Sequence, residues 1–181
     1  MLSPEQSATL KADILANPAV ASFVSSGADS LIADWYNQAT SPAYVVWNKY
    51  TDVNAILDAI NWANLTPATS TSDTTTVYSN KALLCQGKQF NLQTIVSGRQ
   101  SIDATKSNVR SGLQDALTNV PSKADGTNQS AGWVNVQTAM QRTANNLEKV
   151  FSTGTGTTAS PGITTVEGTI DYNEISKVLR G

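Results

Sequence analysis

Few residues in this chain can carry covalent or acid–base chemistry. It has no histidine, which removes Ser-His-Asp and Cys-His catalysis, His-ligated zinc and imidazole pH switching together. The lone cysteine, Cys85, can form neither an intrachain disulfide nor a multi-cysteine metal site. Between Leu84 and Gln86 on an expected helix, it reads as a small buried hydrophobe. The glutamates are Glu5, Glu148, Glu167 and Glu174. A glycosidase needs two carboxyls facing each other roughly 5–9.5 Å apart, and no spacing here nominates a pair. Glu148 and Lys149 fall on the expected solvent side of a helix, and Glu174 follows Asp171 at capping distance. Gly154-Thr155-Gly156-Thr157-Thr158-Ala159 satisfies a G-x-G-x-x-A string. The dinucleotide fingerprint, however, needs a strand before it and a helix N-terminus after it, whereas an expected helix precedes this string and Pro161-Gly162 follows. There is no Walker loop, G-x-S-x-G elbow or S-x-x-K tetrad. These absences predict a protein without enzymatic activity, cofactor or metal.

Lys81, Lys88, Arg99, Lys106 and Arg110 are the residues to weigh for nucleic acid. Lys81 and Lys88 are seven apart and share a helical face, as nearly do Lys106 and Arg110. Such a face could touch phosphates or a neighbouring subunit without reading bases; it lacks the interleaved aromatics of a single-strand platform. Charge is uneven along the 181 residues, whose net is -2. Residues 1–75 carry seven acids against Lys11 and Lys49, and residues 76–153 carry eight bases against four acids. A two-signed chain suits head-to-tail contacts.

These side chains would have to be positioned by helices. Ser3-Pro4-Glu5-Gln6 is a capping box opening a helix to about Ala16, with Leu10, Ile14 and Leu15 inward. Asn17-Pro18 ends it and starts a short helix through Val24. Leu31, Ile32, Trp35 and Tyr36 mark another helical face; Ser41-Pro42 repeats the capping signal before Tyr44-Val45-Val46-Trp47, and Thr51 caps a helix ending near Ala63. Residues 66–76 are too polar to bury and read as a linker. Two longer helices are expected, at about Val77–Val96 and from Asp103 to about Val120, with a break at Pro121-Ser122 and residues 125–128. A last helix is predicted from about Ala131 to Phe151, on the seam of Trp133, Val136, Met140, Ala144, Leu147 and Val150 or Phe151. The fold class expected is therefore all-α, a multi-helix bundle.

Residues 152–162 are a Gly/Ser/Thr connector. Beyond it Ile163 to Val166 favour a strand, and Asp171 caps a short helix with Ile175, Val178 and Leu179 on one face. The expected division is thus a bundle over 1–151 and a docking tail over 152–181, whose Ile163, Val166, Ile170, Ile175, Val178 and Leu179 would bury area on a neighbouring subunit. No apolar run approaches the ~20 residues that span a bilayer. The opening Met1-Leu2-Ser3-Pro4-Glu5 lacks a basic-then-apolar leader, predicting retention in a cytoplasm-like compartment.

The stretches NKALLCQGKQFNLQTIVSGRQSIDATKSNVRSGLQDALTNVP (Asn80 to Pro121) and FSTGTGTTASPGITTVEGTIDYNEISKVL (Phe151 to Leu179) resemble small proteins of tailed-bacteriophage morphogenesis, in particular the head-to-tail connector, or neck adaptor, group. The resemblance implies a mostly α-helical homo-oligomer, commonly a twelvefold ring, that joins the portal to tail-side proteins around the DNA channel. It would be assembled in the host cytoplasm and reside in the neck of the virion, in non-specific contact with packaged DNA and with no membrane. It transfers no catalytic residue. The rival readings are another phage structural or assembly protein, a carboxylate-dependent cell-wall hydrolase of the tail, and a small DNA-binding module.

Overall fold

The Ser3 hydroxyl accepts from the Gln6 backbone N–H at 3.2 Å while the Gln6 side chain accepts from the Ser3 N–H at 2.8 Å. With Pro4 in the first turn, this opens α1 (Pro4–Ala16) as its sequence announces. The computed structural model describes residues 2–66, 75–121 and 128–181, excluding the side chains of residues 75–79. Most of the expected linker over 66–76, the side chain of Tyr78, which the helical spacing expected on the inward side of α5, and the expected break from Ser122 onward lie outside the described residues.

After α1 come α2 (Ala21–Ser26), α3 (Asp29–Asn37), β1 (Val45–Trp47), β2 (Thr51–Asp52), α4 (Val53–Asp58), α5 (Thr75–Val96), β3 (Ser101–Ile102), α6 (Ser107–Leu117), β4 (Val120–Pro121) and β5 (Asn128–Gln129). The chain continues through α7 (Trp133–Ala139), β6 (Gln141–Thr143), α8 (Asn146–Val150), β7 (Ser152–Thr153), β8 (Ile163–Thr164) and α9 (Tyr172–Arg180). The strands pair as β1 with β6, β2 with β3, β4 with β5 and β7 with β8. Thr51 stands opposite Ile102, Val120 opposite Gln129, and Ser152 opposite Thr164.

This overturns the all-α expectation. Among the described residues helix accounts for about 52%, but 13% lies in four small antiparallel sheets, so the class is mixed α/β. Two segments expected to be helical instead supply one of these sheets, β1 with β6. Tyr44 to Trp47 follow a proline and offer two valines and two aromatics, residue types that fit a pleated surface. Val45 donates to the Gly156 carbonyl at 2.7 Å and accepts from the Gly162 N–H at 2.8 Å. The long seam from Ala131 to Phe151 is likewise not one helix. Its apolar positions Val136, Met140, Ala144, Leu147 and Phe151 are all buried, yet the backbone leaves α7 at Met140, runs extended through β6 and restarts at Asn145. That residue caps α8 reciprocally with Glu148. Asn-x-x-Glu is itself a helix-start signal, and here it outranks the continuous apolar period.

The chain divides into two compact units, Met1–Trp47 with Arg142–Gly181, and Asn48–Gln141. The division expected at 151/152 is therefore replaced by one in which residues 142–181 complete the N-terminal unit. The first unit's core gathers Leu10 and Ile14 from α1, Ile32, Ala33 and Tyr36 from α3, Leu147 and Phe151 around α8, and Ile170, Ile175 and Val178 from the C-terminal segment. Trp35 and Tyr36 pack edge to face with centroids 4.8 Å apart. The second unit packs α5 on α6 and α4 on α7. Gly112 on α6 permits the close approach of α5: a Cβ added there would lie 3.0 Å from the Ile95 Cδ1. Cys85 is buried, its thiol donating to the Leu65 carbonyl at 3.2 Å.

Candidate functional site

Of the six expected docking residues, Ile170, Ile175 and Val178 are buried in the first unit's own core, and Val166 and Leu179 are partly buried against it. Only Ile163 stays exposed, at 36%. The segment is held by polar contacts as well as apolar ones. Asp171 caps α9 by accepting from the Glu174 N–H at 2.8 Å, which agrees with the sequence reading. Asn37 on α3 grips residue 170 as a second strand would, donating to its carbonyl at 2.8 Å and accepting from its N–H at 2.9 Å. Arg180 pairs both guanidinium nitrogens with Asp29 and holds that carboxyl below its ordinary value. The docking-tail expectation fails because its apolar face meets an apolar face of its own chain.

A charged hub beneath this segment replaces the solvent-exposed Glu148 of the sequence reading. Glu148 is buried. Arg142 donates to its two carboxylate oxygens at 2.6 and 2.9 Å, and the backbone N–H groups of Asn145 and Gly168 donate to them at 3.1 Å each. Arg142 also reaches Glu167 at 3.3 Å. Burial pushes the Glu148 acidity toward the neutral acid, but the guanidinium and the two amides outweigh it and leave the pKa below its ordinary value. A carboxylate so saturated is a structural anion, and the hydrolase reading loses this glutamate as its acid or base.

The G-x-G-x-x-A string also has a structural use. The Tyr44 hydroxyl donates to the Gly154 carbonyl at 2.9 Å, and its ring lies where Gly156 and Gly162 have no side chain. A Cβ on Gly156 would sit 2.2 Å from the ring, at a backbone φ of +67°. Gly156→Ala should therefore clash and strain together, destabilising the first unit by about 1–3 kcal/mol, read as a lowered urea midpoint with an unchanged slope. A midpoint within experimental error of the parent would mean that the loop swings freely around the ring.

The five basic residues do not form one face. Lys88 is buried and donates to the Asp115 carbonyl at 2.5 Å, near the C-terminal end of α6 where a cation is favourable. Arg110 donates to the carbonyls of Ala104 and Thr105 at 2.6 and 2.9 Å. Lys81 is half-buried, whereas Arg99 and Lys106 are exposed. The two-signed charge pattern also weakens once it is counted by unit: eight acids and five bases in the first, six acids and seven bases in the second.

The surface that sequence reasoning missed is α5. Leu83, Leu84 and Phe90 are exposed on it, and from Ala82 to Gly98 its only charge is the buried Lys88. Beside it, on the same unit, Leu57, Trp62, Gln89, Leu92, Gln93 and Val96 line a groove of about 260 Å³. A signal for this face was present in the sequence: α5 is apolar on more than one side, a pattern that fits burial on several faces.

Among the described residues, no group of three or more His, Cys, Asp or Glu side chains is placed to hold a metal ion. No helix there is long and apolar enough to cross a membrane. No family model, curated protein or solved structure matches this chain.

Proposed function

We propose that this chain is a structural virion protein of a tailed bacteriophage, a head-to-tail adaptor that assembles as a ring beneath the portal and joins it to tail components around the DNA channel. Its work is assembly, with no bound molecule transformed. The observation that carries the reading is the face of α5: a helix exposing Leu83, Leu84 and Phe90 beside an apolar groove, and bearing no exposed charge from Ala82 to Gly98. Contiguous apolar surface of this kind marks a contact with another macromolecule, and depletion of charge is the mark of an interface centre. The resemblance of Asn80–Pro121 to neck adaptors falls on this same helix and on α6. Of the five basic residues weighed, the exposed Arg99 and Lys106 are placed to approach packaged DNA.

Loss of the protein from the virus that encodes it should leave DNA-filled heads and separate, complete tails, both countable by electron microscopy. Normal numbers of joined particles in its absence overturn the reading.

A further inference from the structure

Among the described residues, nothing covers an apolar ridge on α5 and nothing fills an apolar groove beside it. Leu83, Leu84 and Phe90 of the ridge are 63%, 51% and 67% exposed. Leu83 and Phe90 lie on the side of the helix opposite the buried Cys85 and Leu92, and Leu84 lies about 100° round from Leu83. Gln89, Leu92, Gln93 and Val96 form the α5 wall of the groove, with Leu57 and the 49% exposed Trp62 as its other wall. At about 100° per residue, ridge and groove stand roughly 150° apart around the helix axis, so one copy cannot satisfy both from its own α5.

We infer that these are the two halves of a head-to-tail contact between copies of this chain, the ridge of one copy seating Phe90 in the groove of the next. Three observations select a second copy as the occupant. At about 260 Å³, the groove is below the roughly 300–1,000 Å³ of small-molecule sites and suits one large side chain. Neither ridge nor groove holds a charged residue, so a strongly acidic or basic partner finds no complement, while a copy of the same neutral surface meets no repulsion. With an aromatic side chain offering roughly 150–250 Å², the exposed parts of the ridge and Trp62 bring together about 500 Å² of apolar surface. A standard interface of ~1,600 Å² contains about 900 Å². The single contact is thus a weak one, at the low end of specific interfaces, and gains by closure, since a heterologous contact repeats into a ring. The sequence of residues 67–74, PATSTSDT, contains no large apolar side chain.

The inference rests on the assembly reading and names one partner within it, a second copy. Because its test uses the purified full chain alone, failure here leaves portal docking to be decided by the virion experiment. Sedimentation equilibrium over about 1–500 μM should give the parent chain a mass that rises with concentration above the 19.2 kDa of one copy. Phe90→Asp, which removes the ridge, and Gln93→Arg, which blocks the groove, should each hold it at one copy. Both positions are exposed, and Phe90→Ser replaces the first variant if that one fails to fold. An equimolar mixture of the two variants should restore one intact contact and yield a two-chain species that grows no further. A monomeric parent, a variant that associates like the parent, or a mixture that stays single-chain, as a twofold contact or an occupant from the same chain would give, each overturns the inference.

Discussion

A chain truncated after Phe151 should fail to fold its first unit. Ile170, Ile175 and Val178 are at most 7% exposed and belong to the same core as Leu10, Ile14, Ile32 and Tyr36. At roughly 1.5–3 kcal/mol for each fully buried side chain, their removal forfeits about 5–9 kcal/mol. A typical domain is stable by about 5–15 kcal/mol in total, so the loss is of the order of the whole. Asn37 would also lose both partners at residue 170, leaving a half-buried amide to be resolvated. The expected readout is collapse of the near-ultraviolet dichroism and rapid proteolysis within α1 to α3. The sequence pattern read as a tethered tail predicts the opposite, a truncated chain with its bundle intact, and dispersed native resonances from Tyr36 in the truncated protein would favour that reading.

Glu148→Ala comes next in size. It leaves Arg142 facing Glu167 alone and strips acceptors from the Asn145 and Gly168 N–H groups. Removing one partner of a buried pair costs about 3–5 kcal/mol, which chemical denaturation would read directly. The same carboxylate gives the stability its dependence on pH. Its pKa is lower in the folded protein than in the unfolded chain, where it is about 4.3, so the unfolded state takes up the proton first. The contribution is complete above that ordinary value and is lost as the pH falls through the depressed folded one. Asp29, held down by Arg180, acts in the same direction. Acid titration of the parent should therefore lose stability below about pH 4.3 more steeply than that of Glu148→Gln; equal slopes would contradict the hub.

The elements readable from sequence are those whose signals are local. Ser3, Pro4 and Gln6 place α1, and Asp171 with Glu174 places α9, because a cap needs only three or four residues. The apolar period also identified which of residues 136–151 are buried. It could not tell that Gln141–Thr143 would leave the helix, since β6 is made by its pairing with β1, about 95 residues away in the chain. The fate of α9 escaped for the same reason: an amphipathic helix announces that one face will be covered, and the cover, α3, is distant in sequence. Glu148 looked exposed because its helix was phased from Ala131; once Asn145 is recognised as a new start, its burial follows from the cap. The basic residues were legible as charges but not as a face, because Lys88 and Arg110 are turned to backbone carbonyls by packing that no spacing reveals.

The account stands on a chain that works by contact with other subunits. The most direct measurement is native mass spectrometry of the purified protein mixed with purified portal rings of the same virus. The account predicts a single complex in which the portal gains whole copies of 19.2 kDa, one for each portal subunit. A portal of unchanged mass beside unbound protein, with the protein in excess over portal subunits, would contradict it.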